Sequence, residues 1–160
     1  MTAIYPGSFD PTTLGHLDVI KRSLNISENL IVAVLNNSAK NALFTVEERV
    51  QHLKYLTKNM PTVTIEAFSG LLVDFAKKND AKLIIRGLRA LTDFEYEFQM
   101  ALTNRELNLN LETIFIPTSL QYLYISSRVV KEIANFGGDF SNMVPSIIYD
   151  EIRKKHKNYN

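Results

Sequence analysis

A segment of ten residues near the amino terminus combines glycines, a hydroxyl and a histidine. It reads GSFDPTTLGH and runs from Gly7 to His16. Gly7 and Gly15 permit close approach to the backbone, and Ser8 supplies a hydroxyl. His16 is expected at the start of a helix, where free N–H groups favour phosphate. The segment is therefore a candidate anion site, although a strand-to-helix turn with a capping histidine would explain an isolated Gly-His pair.

Two arginines follow an apolar run in the middle of the chain. Arg86 comes directly after Leu-Ile-Ile, and Arg89 lies three residues further on. A charge at the end of a buried strand needs an anionic partner, and a guanidinium binds phosphate in a bidentate manner. The pattern favours a phosphate site, and pairing of these arginines with Asp93 or Glu97 is the alternative.

The remaining polar candidates carry weaker signals. Lys40 lies in a polar loop, where a lysine is by default solvated. Ser126 and Ser127 are typical helix N-caps, but an N-cap at the ligand edge of a sheet can also bind phosphate. His52 and His156 have no metal-ligand spacing and receive no role. The chain has no cysteine, which excludes a disulfide, a zinc-thiolate site and a thiol nucleophile.

Composition limits the classes of protein that the chain can be. It has 160 residues with 46% hydrophobic and 22% charged residues, which suits a single globular domain over residues 1–160. The net charge of +1 creates no overall attraction to nucleic acid or to a membrane surface. The first residues do not resemble a signal peptide, and no apolar run is long enough to span a bilayer. A cytoplasmic location is expected.

Short apolar runs alternate with amphipathic segments along the whole chain. The runs are apolar throughout rather than alternating, which is typical of parallel strands covered on both faces. Predicted strands lie at residues 3–5, 30–35, 63–67, 83–85 and 113–116. Predicted helices lie at residues 15–24, 45–58, 72–78, 92–107, from 126–127 to just before 137, and after Pro145.

Local signals support several of these helices. Thr45 with Glu48, and Thr92 with Glu95, have the spacing of a capping box, and Gly137 is a typical helix stop. The alternation predicts an α/β fold: one doubly wound, Rossmann-like domain with a five-stranded parallel sheet and C-terminal helices. Ligands of such sheets bind beyond the carboxyl ends of the strands.

Several segments are similar to a known enzyme family. GSFDPTTLGH resembles the [ST]FDPxTxGH signature of phosphopantetheine adenylyltransferases, a family within the HxGH nucleotidyltransferase superfamily. Thr13 stands where related nicotinate-nucleotide enzymes generally keep a first histidine. The likeness extends, in order and over nearly the whole chain, to residues 37–49, 68–73, 85–97 and 124–132.

The resemblance implies a particular reaction. AMP would pass from ATP to 4'-phosphopantetheine by direct in-line attack, giving dephospho-coenzyme A and pyrophosphate in coenzyme A biosynthesis. Such a reaction needs little acid–base catalysis, because its nucleophile is already an anion, but it needs two repelling anions held in line. Mg²⁺ is expected to enter with ATP rather than in a protein metal site. The resemblance also implies a homohexamer and leaves feedback binding of coenzyme A open.

The same resemblance implies roles for individual residues. His16 stabilises the transition state, Lys40 and Arg86 hold the phosphate of phosphopantetheine with help from Ser8, and Leu72 lines the pantetheine arm. The implied ATP contacts are Ser8, Phe9, His16, Gly87, Leu88, Arg89, Glu97, Tyr122, Leu123, Tyr124, Ile125, Ser126, Ser127 and Arg128.

One position departs from the family pattern. Arg128 stands where a third small hydroxyl residue is usual, so its side chain either reaches the ATP phosphates or turns outward. Two alternatives to the main hypothesis stay open. One is a nucleotidyltransferase of the same superfamily that acts on nicotinate mononucleotide or transfers a cytidylyl group. The other is a non-catalytic nucleotide-binding protein, since a fold alone does not fix function.

Overall fold

Five parallel strands form one sheet in the order β3-β2-β1-β4-β5. The structure is a computed structural model that describes residues 1–36, 42–89 and 91–157. The strands are β1 (Thr2–Gly7), β2 (Asn29–Leu35), β3 (Val63–Phe68), β4 (Leu83–Leu88) and β5 (Glu112–Pro117). The helices are α1 (Leu14–Ser23), α2 (Val46–Leu56), α3 (Leu72–Lys78), α4 (Leu91–Leu107), α5 (Ser127–Asn135) and α6 (Ser146–Lys157), with a 3₁₀ turn at Leu120–Tyr122.

The order of the strands places a crevice beside the central strand. Ala3 of β1 pairs with Leu30 of β2 on one side and with Leu83 of β4 on the other. The chain therefore moves outward from β1 to β3 and then returns to the opposite side of β1. The loops after β1 and β4 leave the sheet in different directions, and the point between them is where doubly wound sheets bind ligands.

Buried side chains cover both faces of the sheet, as the unbroken apolar runs predict. On one face Tyr5 and Ile85 pack with Ile20 of α1 and with Leu53 of α2. On the other face Ile4, Ile31 and Ile84 pack with Phe75 and Ala76 of α3. A third cluster joins α5 and α6 to Phe44, beside the carboxyl end of the sheet.

Most sequence-predicted elements are confirmed within two or three residues, and α3 matches its prediction. The capping box of Thr45 and Glu48 is present, and Gly137 ends α5 with a φ of 74°. The helix predicted from the capping-box pattern at Thr92 begins one residue earlier, at Leu91. Within the described ranges, no helix has the length and apolar character needed to cross a bilayer.

Candidate active site

His16 is fixed by the first turn of α1. Thr13 is the N-cap, its Oγ1 accepts from the His16 backbone N–H at 3.3 Å, and His16 Nδ1 accepts from the Thr13 backbone N–H at 3.0 Å. Because Nδ1 is an acceptor, a neutral imidazole carries its proton on Nε2. His16 is therefore a capping residue through Nδ1, and its Nε2–H can donate a hydrogen bond.

The electrostatic surroundings keep His16 neutral. Burial disfavours the imidazolium, and the positive charges of Arg89 and Arg86 disfavour it further, which lowers the pKa of His16 to about 4. The ring of Phe9 packs edge-on against the imidazole with a centroid separation of 5.0 Å. At neutral pH His16 can donate a hydrogen bond, but it does not supply a positive charge or act as a general acid.

Two close approaches require glycine around this histidine. Phe9 has a φ of 50° and is only 1% exposed. Its ring packs against Tyr5 on one side and against His16 on the other. A Cβ on Gly7 would lie 3.0 Å from that ring, and a Cβ on Gly87 would lie 3.0 Å from Val19 Cγ2 on α1. Gly87 thus allows β4 to pack closely against α1. This packing role within the chain is additional to the ATP contact predicted for Gly87 from the sequence.

A polar pocket of about 340 Å³ opens at the carboxyl ends of β1 and β4. It brings residues from three separate sequence motifs together, as expected for a ligand site at the crevice of a doubly wound sheet. The predicted site residues that line it are Ser8, Phe9, His16, Arg86, Gly87, Arg89, Glu97, Ile125, Ser126, Ser127 and Arg128. The predicted ATP contacts Leu88, Tyr122, Leu123 and Tyr124 lie outside its lining.

A second, more apolar pocket of about 420 Å³ lies beside the first. Leu72 is part of its wall, together with Phe68 at the end of β3, Leu71, and Met100 of α4. The two pockets share a boundary made of Pro6, Gly7, Ser8, Arg86 and Glu97. The predicted phosphate ligands Ser8 and Arg86 therefore lie between a polar pocket and an apolar one.

Arg86 is held firmly at this boundary. Its Nε donates to Glu97 Oε2 at 2.6 Å, its Nη2 donates to Oε1 at 2.5 Å, and its Nη1 donates to the Pro6 carbonyl at 2.7 Å. Burial is the largest single influence and disfavours the charge, but the hydrogen bond and the negative charge of Glu97, together with Tyr5 and Tyr96, outweigh it and raise the pKa of Arg86. The pairing with Glu97 that the sequence left as an alternative is thus present. A guanidinium has five N–H groups, so this arrangement leaves two for an anion.

Arg89 connects β4 to the segment before α5. Its Nε lies 3.2 Å from Asp93 Oδ2, and its Nη1 donates to the Ile125 carbonyl at 3.1 Å. The side chain is 38% exposed, so its charge faces the polar pocket from the rim. Because both arginines have carboxylate partners, the site is basic without carrying a large uncompensated charge.

The amino terminus of α5 completes the polar pocket. Ser126 Oγ accepts from the Val129 N–H at 3.1 Å as the N-cap, and Ser127 Oγ donates to the Pro11 carbonyl at 2.7 Å. Both hydroxyls therefore have roles in the fold. The sequence indicated the N-cap role but not the bond from Ser127 to Pro11. Arg128 is the second residue of α5 and lines the pocket.

Three residues complete the comparison with the sequence. Lys40 lies outside the described residues. Asp10 and Arg49 received no role from the sequence, yet both are buried charged residues next to the Ser8 loop. The sequence signal that could have identified them is a charged residue within a segment whose other side chains face the core. In the described part of the chain, no group of three histidine or acidic side chains is placed to hold a metal.

Known proteins resemble this chain over most of its length. Residues 4–133 match the family described as cytidylyltransferase-like. A phosphopantetheine adenylyltransferase from Lachnoclostridium phytofermentans is 57% identical over 95% of this chain and 96% of its own length. Another from Caldanaerobacter subterraneus subsp. tengcongensis is 56% identical, with 97% of both chains covered. A solved structure, a putative nicotinate-nucleotide adenylyltransferase from Vibrio parahaemolyticus, covers 94% of this chain and 97% of its own with a TM-score of 0.72 and 16% identity, which supports the fold alone.

The parallel sheet, the strand-end pocket and the family match define a nucleotidyltransferase of the cytidylyltransferase-like class. Within that class, the identity of more than half of all aligned residues with curated relatives is decisive. The chain belongs to the phosphopantetheine adenylyltransferase family.

Proposed function

We propose that this protein transfers AMP from ATP to 4'-phosphopantetheine and releases pyrophosphate. The observation that carries the proposal is the shared boundary of the two pockets. A polar pocket suits the triphosphate, an apolar pocket suits the pantetheine arm, and Ser8 and Arg86 lie where the acceptor phosphate would meet the α-phosphate. The names of the relatives agree with this pair of substrates.

The chemistry needs one bond to form and one to break. A phosphate oxygen of 4'-phosphopantetheine attacks the α-phosphorus of ATP. The bond from that phosphorus to the β-phosphate bridging oxygen breaks, and pyrophosphate leaves with its electron pair. The new phosphorus–oxygen bond completes dephospho-coenzyme A. Since the nucleophile is an anion, no general base is required. His16 therefore does not need to accept a proton.

His16 is proposed to act on the transition state. Its Nε2–H is the donor left after Nδ1 caps α1, and it lies in the polar pocket. A donor aimed at an α-phosphate oxygen stabilises the charge that builds there during attack. Arg86 with Lys40 would hold the acceptor phosphate, Arg89 and the start of α5 would hold the triphosphate, and Leu72 would contact the pantetheine arm.

Mg²⁺ is proposed to enter with ATP. The carboxylates at the polar pocket, Asp93 and Glu97, are engaged by Arg89 and Arg86, so neither is a ready metal ligand. Mg²⁺ prefers to keep several waters and to bind through substrate phosphates. When bound there, it neutralises charge on the leaving pyrophosphate.

A homohexamer and a cytoplasmic location are also proposed from the family likeness. Phe94, Phe98 and Leu102 are spaced four apart on α4 and are 40%, 47% and 54% exposed. Such an apolar stripe on a helix is typical of a surface that another chain covers. Light scattering should give six chains per particle, and Phe98→Glu should give a smaller particle.

Coenzyme A contains both substrate moieties, so we propose that it competes for the two pockets.

A screen of nucleotides and acceptors tests the proposed reaction. The purified protein is incubated with Mg²⁺ and either ATP or CTP, together with either 4'-phosphopantetheine or nicotinate mononucleotide. Mass spectrometry should detect dephospho-coenzyme A with the first of each pair and no product from the other three mixtures. A product that forms only with nicotinate mononucleotide, or only with CTP, would favour the alternative nucleotidyltransferase. No product at saturating substrates would reject catalysis.

A further inference from the structure

The loop after β1 is tied to the connection between β2 and α2 by a buried carboxylate. Asp10 is 6% exposed. Its Oδ2 accepts from the Leu43 N–H at 2.9 Å, and its Oδ1 accepts from the Phe44 N–H at 2.8 Å. Lys131 of α5 lies 3.3 Å from Oδ2 and balances the charge. One side chain of the signature segment thus fixes the backbone just before α2.

A buried guanidinium makes the opposite connection. Arg49 of α2 is 3% exposed. Its Nη1 donates to the Ser8 carbonyl at 2.7 Å and to the Leu35 carbonyl at 3.3 Å, and its Nε donates to the Thr45 carbonyl at 3.2 Å. Within the described residues no carboxylate forms an ion pair with Arg49. Among the described residues, its hydrogen-bond partners are backbone carbonyls.

These contacts join the same two segments from opposite directions. Asp10 reaches from the β1–α1 loop to residues 43–44, and Arg49 reaches from α2 back to Ser8 and to the end of β2. A buried charge is costly unless several hydrogen bonds satisfy it, and bonds to charged groups are stronger and more directional than neutral ones. Ser8 lines both pockets, so a shift of the Ser8 loop relative to residues 42–45 would move the boundary between the pockets.

We propose that Asp10 and Arg49 are positioning residues that lock the Ser8 loop and the segment 42–45 into one unit, which sets the alignment of the two substrates. The proposal rests on the proposed function for its kinetic consequence, but the coupling of the two segments does not depend on any substrate. Neither side chain is among those lining the polar or the apolar pocket. Their effect reaches the reaction through the backbone of Ser8.

Hydrogen exchange measures the coupling without substrate. Arg49→Lys keeps the charge and loses the fork that bonds three carbonyls at once. The Leu43 and Phe44 amides are bonded to Asp10 and not to Arg49, so they should exchange faster in Arg49→Lys only if the two connections act as one unit. Thr57→Val is the matched control, because it removes a buried hydrogen bond of 2.8 Å to Leu53 at the far end of α2. Unchanged exchange at residues 43–44 in Arg49→Lys, or an equal increase in Thr57→Val, would overturn the proposal.

Kinetics supply the second readout. Arg49→Lys and Asp10→Asn should each lower kcat by about tenfold or more, since small misplacements of reacting groups carry large rate penalties. Dissociation constants for each substrate alone should stay within about twofold, because no direct ligand contact is removed. The double variant should be little slower than either single one. Additive losses, or losses seen only in the dissociation constants, would contradict joint positioning. A wild-type protein without product would reject the proposed reaction and leave the exchange result standing.

Discussion

The two pockets at the carboxyl edge of the sheet differ in how their walls are made. The polar pocket takes its walls from loops that follow β1 and β4 and from the start of α5, and hydrogen bonds hold Arg86 and Arg89 in place. The apolar pocket is lined by the end of β3, the start of α3 and one face of α4, and it contains Leu71, Leu72 and Met100. Only the boundary near Ser8 and Arg86 belongs to both.

Because of this difference, we expect substitutions in the two pockets to affect catalysis and substrate selectivity differently. Directional contacts to phosphates reward exact placement, so changes in the polar pocket should act strongly on rate or on ATP. Burial of the pantetheine arm is roughly proportional to area, so changes in the apolar pocket should act moderately on the acceptor alone. Substitutions on either side can separate these effects.

The largest effect is expected for His16→Ala. Loss of a donor used mainly in the transition state should lower kcat by about 10²–10³ while substrate binding changes little. His16→Gln is the matched control, because glutamine at this position can keep the capping box with Thr13. We expect steady-state kinetics to show a low kcat in both variants and thermal melting to show near-normal stability in His16→Gln. A normal kcat in His16→Ala, which has no side-chain donor, would reduce His16 to a capping residue.

A smaller and more selective effect is expected for the cations. Lys40→Ala and Arg86→Ala should raise KM mainly for 4'-phosphopantetheine, whereas Arg89→Ala should raise KM mainly for ATP. Hydrogen bonds to charged groups contribute about 1.5–3 kcal/mol each, which corresponds to roughly tenfold or more in KM. Glu97→Gln, which weakens the grip on Arg86 without removing it, should follow Arg86→Ala in direction. If all three alanine variants raised both KM values equally, the division of cations between the substrates would be wrong.

Leu72→Ala should distinguish the apolar pocket from the polar one. It removes three carbon atoms from the wall, and each buried methylene contributes about 0.8 kcal/mol, so partial contact predicts an increase of about tenfold in KM for 4'-phosphopantetheine. KM for ATP should stay near the wild-type value and serves as the internal control. A shift in ATP use instead would mean that the pantetheine arm does not lie in this pocket.

The sequence predicted the polar half of the site better than the apolar half. Charged and hydroxyl residues at strand ends, such as Ser8, His16 and Arg89, announce an anion site by type and position, and the structure brings them together. Met100 and Leu71 look like ordinary helix and loop residues until the chain folds and places α3 and α4 on one side of the crevice.

The same contrast explains two omissions. Asp10 and Arg49 were missed because their partners are mainly backbone groups, distant in sequence, which leave no pattern of their own. The parallel sheet and the alternation of strands with helices, by contrast, follow from local composition and from the rules for parallel sheets.

Arg128→Ala tests the position where the chain departs from its family. The side chain lines the polar pocket at the second position of α5, where a cation opposes the helix dipole by about 0.3–1 kcal/mol. Contact with ATP phosphates would offset that cost, so Arg128→Ala should raise KM for ATP by about tenfold. Arg128→Ser should recover part of the loss, and KM for 4'-phosphopantetheine should not move. An unchanged KM for ATP would show that Arg128 points to solvent.

A separate effect is the dependence of stability on pH. The pKa of His16 is lowered from 6.5 to about 4 in the folded protein, chiefly by burial. The unfolded chain therefore binds more protons between these values, and stability should fall as the pH drops from 6.5 toward 4. His16→Gln should lose less stability over this range in melts at fixed ionic strength. His52, whose pKa is also lowered by burial, contributes equally to both proteins. Identical pH profiles would indicate that His16 is not buried as a neutral ring.

The most direct test follows the oxygen atoms of the acceptor. The purified protein is given Mg²⁺, ATP and 4'-phosphopantetheine whose phosphate carries ¹⁸O, and the products are weighed by mass spectrometry. If the acceptor phosphate attacks the α-phosphorus of ATP, dephospho-coenzyme A should contain all of the label and pyrophosphate should contain none. Label in the pyrophosphate, or unlabelled AMP in place of dephospho-coenzyme A, would contradict adenylyl transfer across the shared boundary of the two pockets.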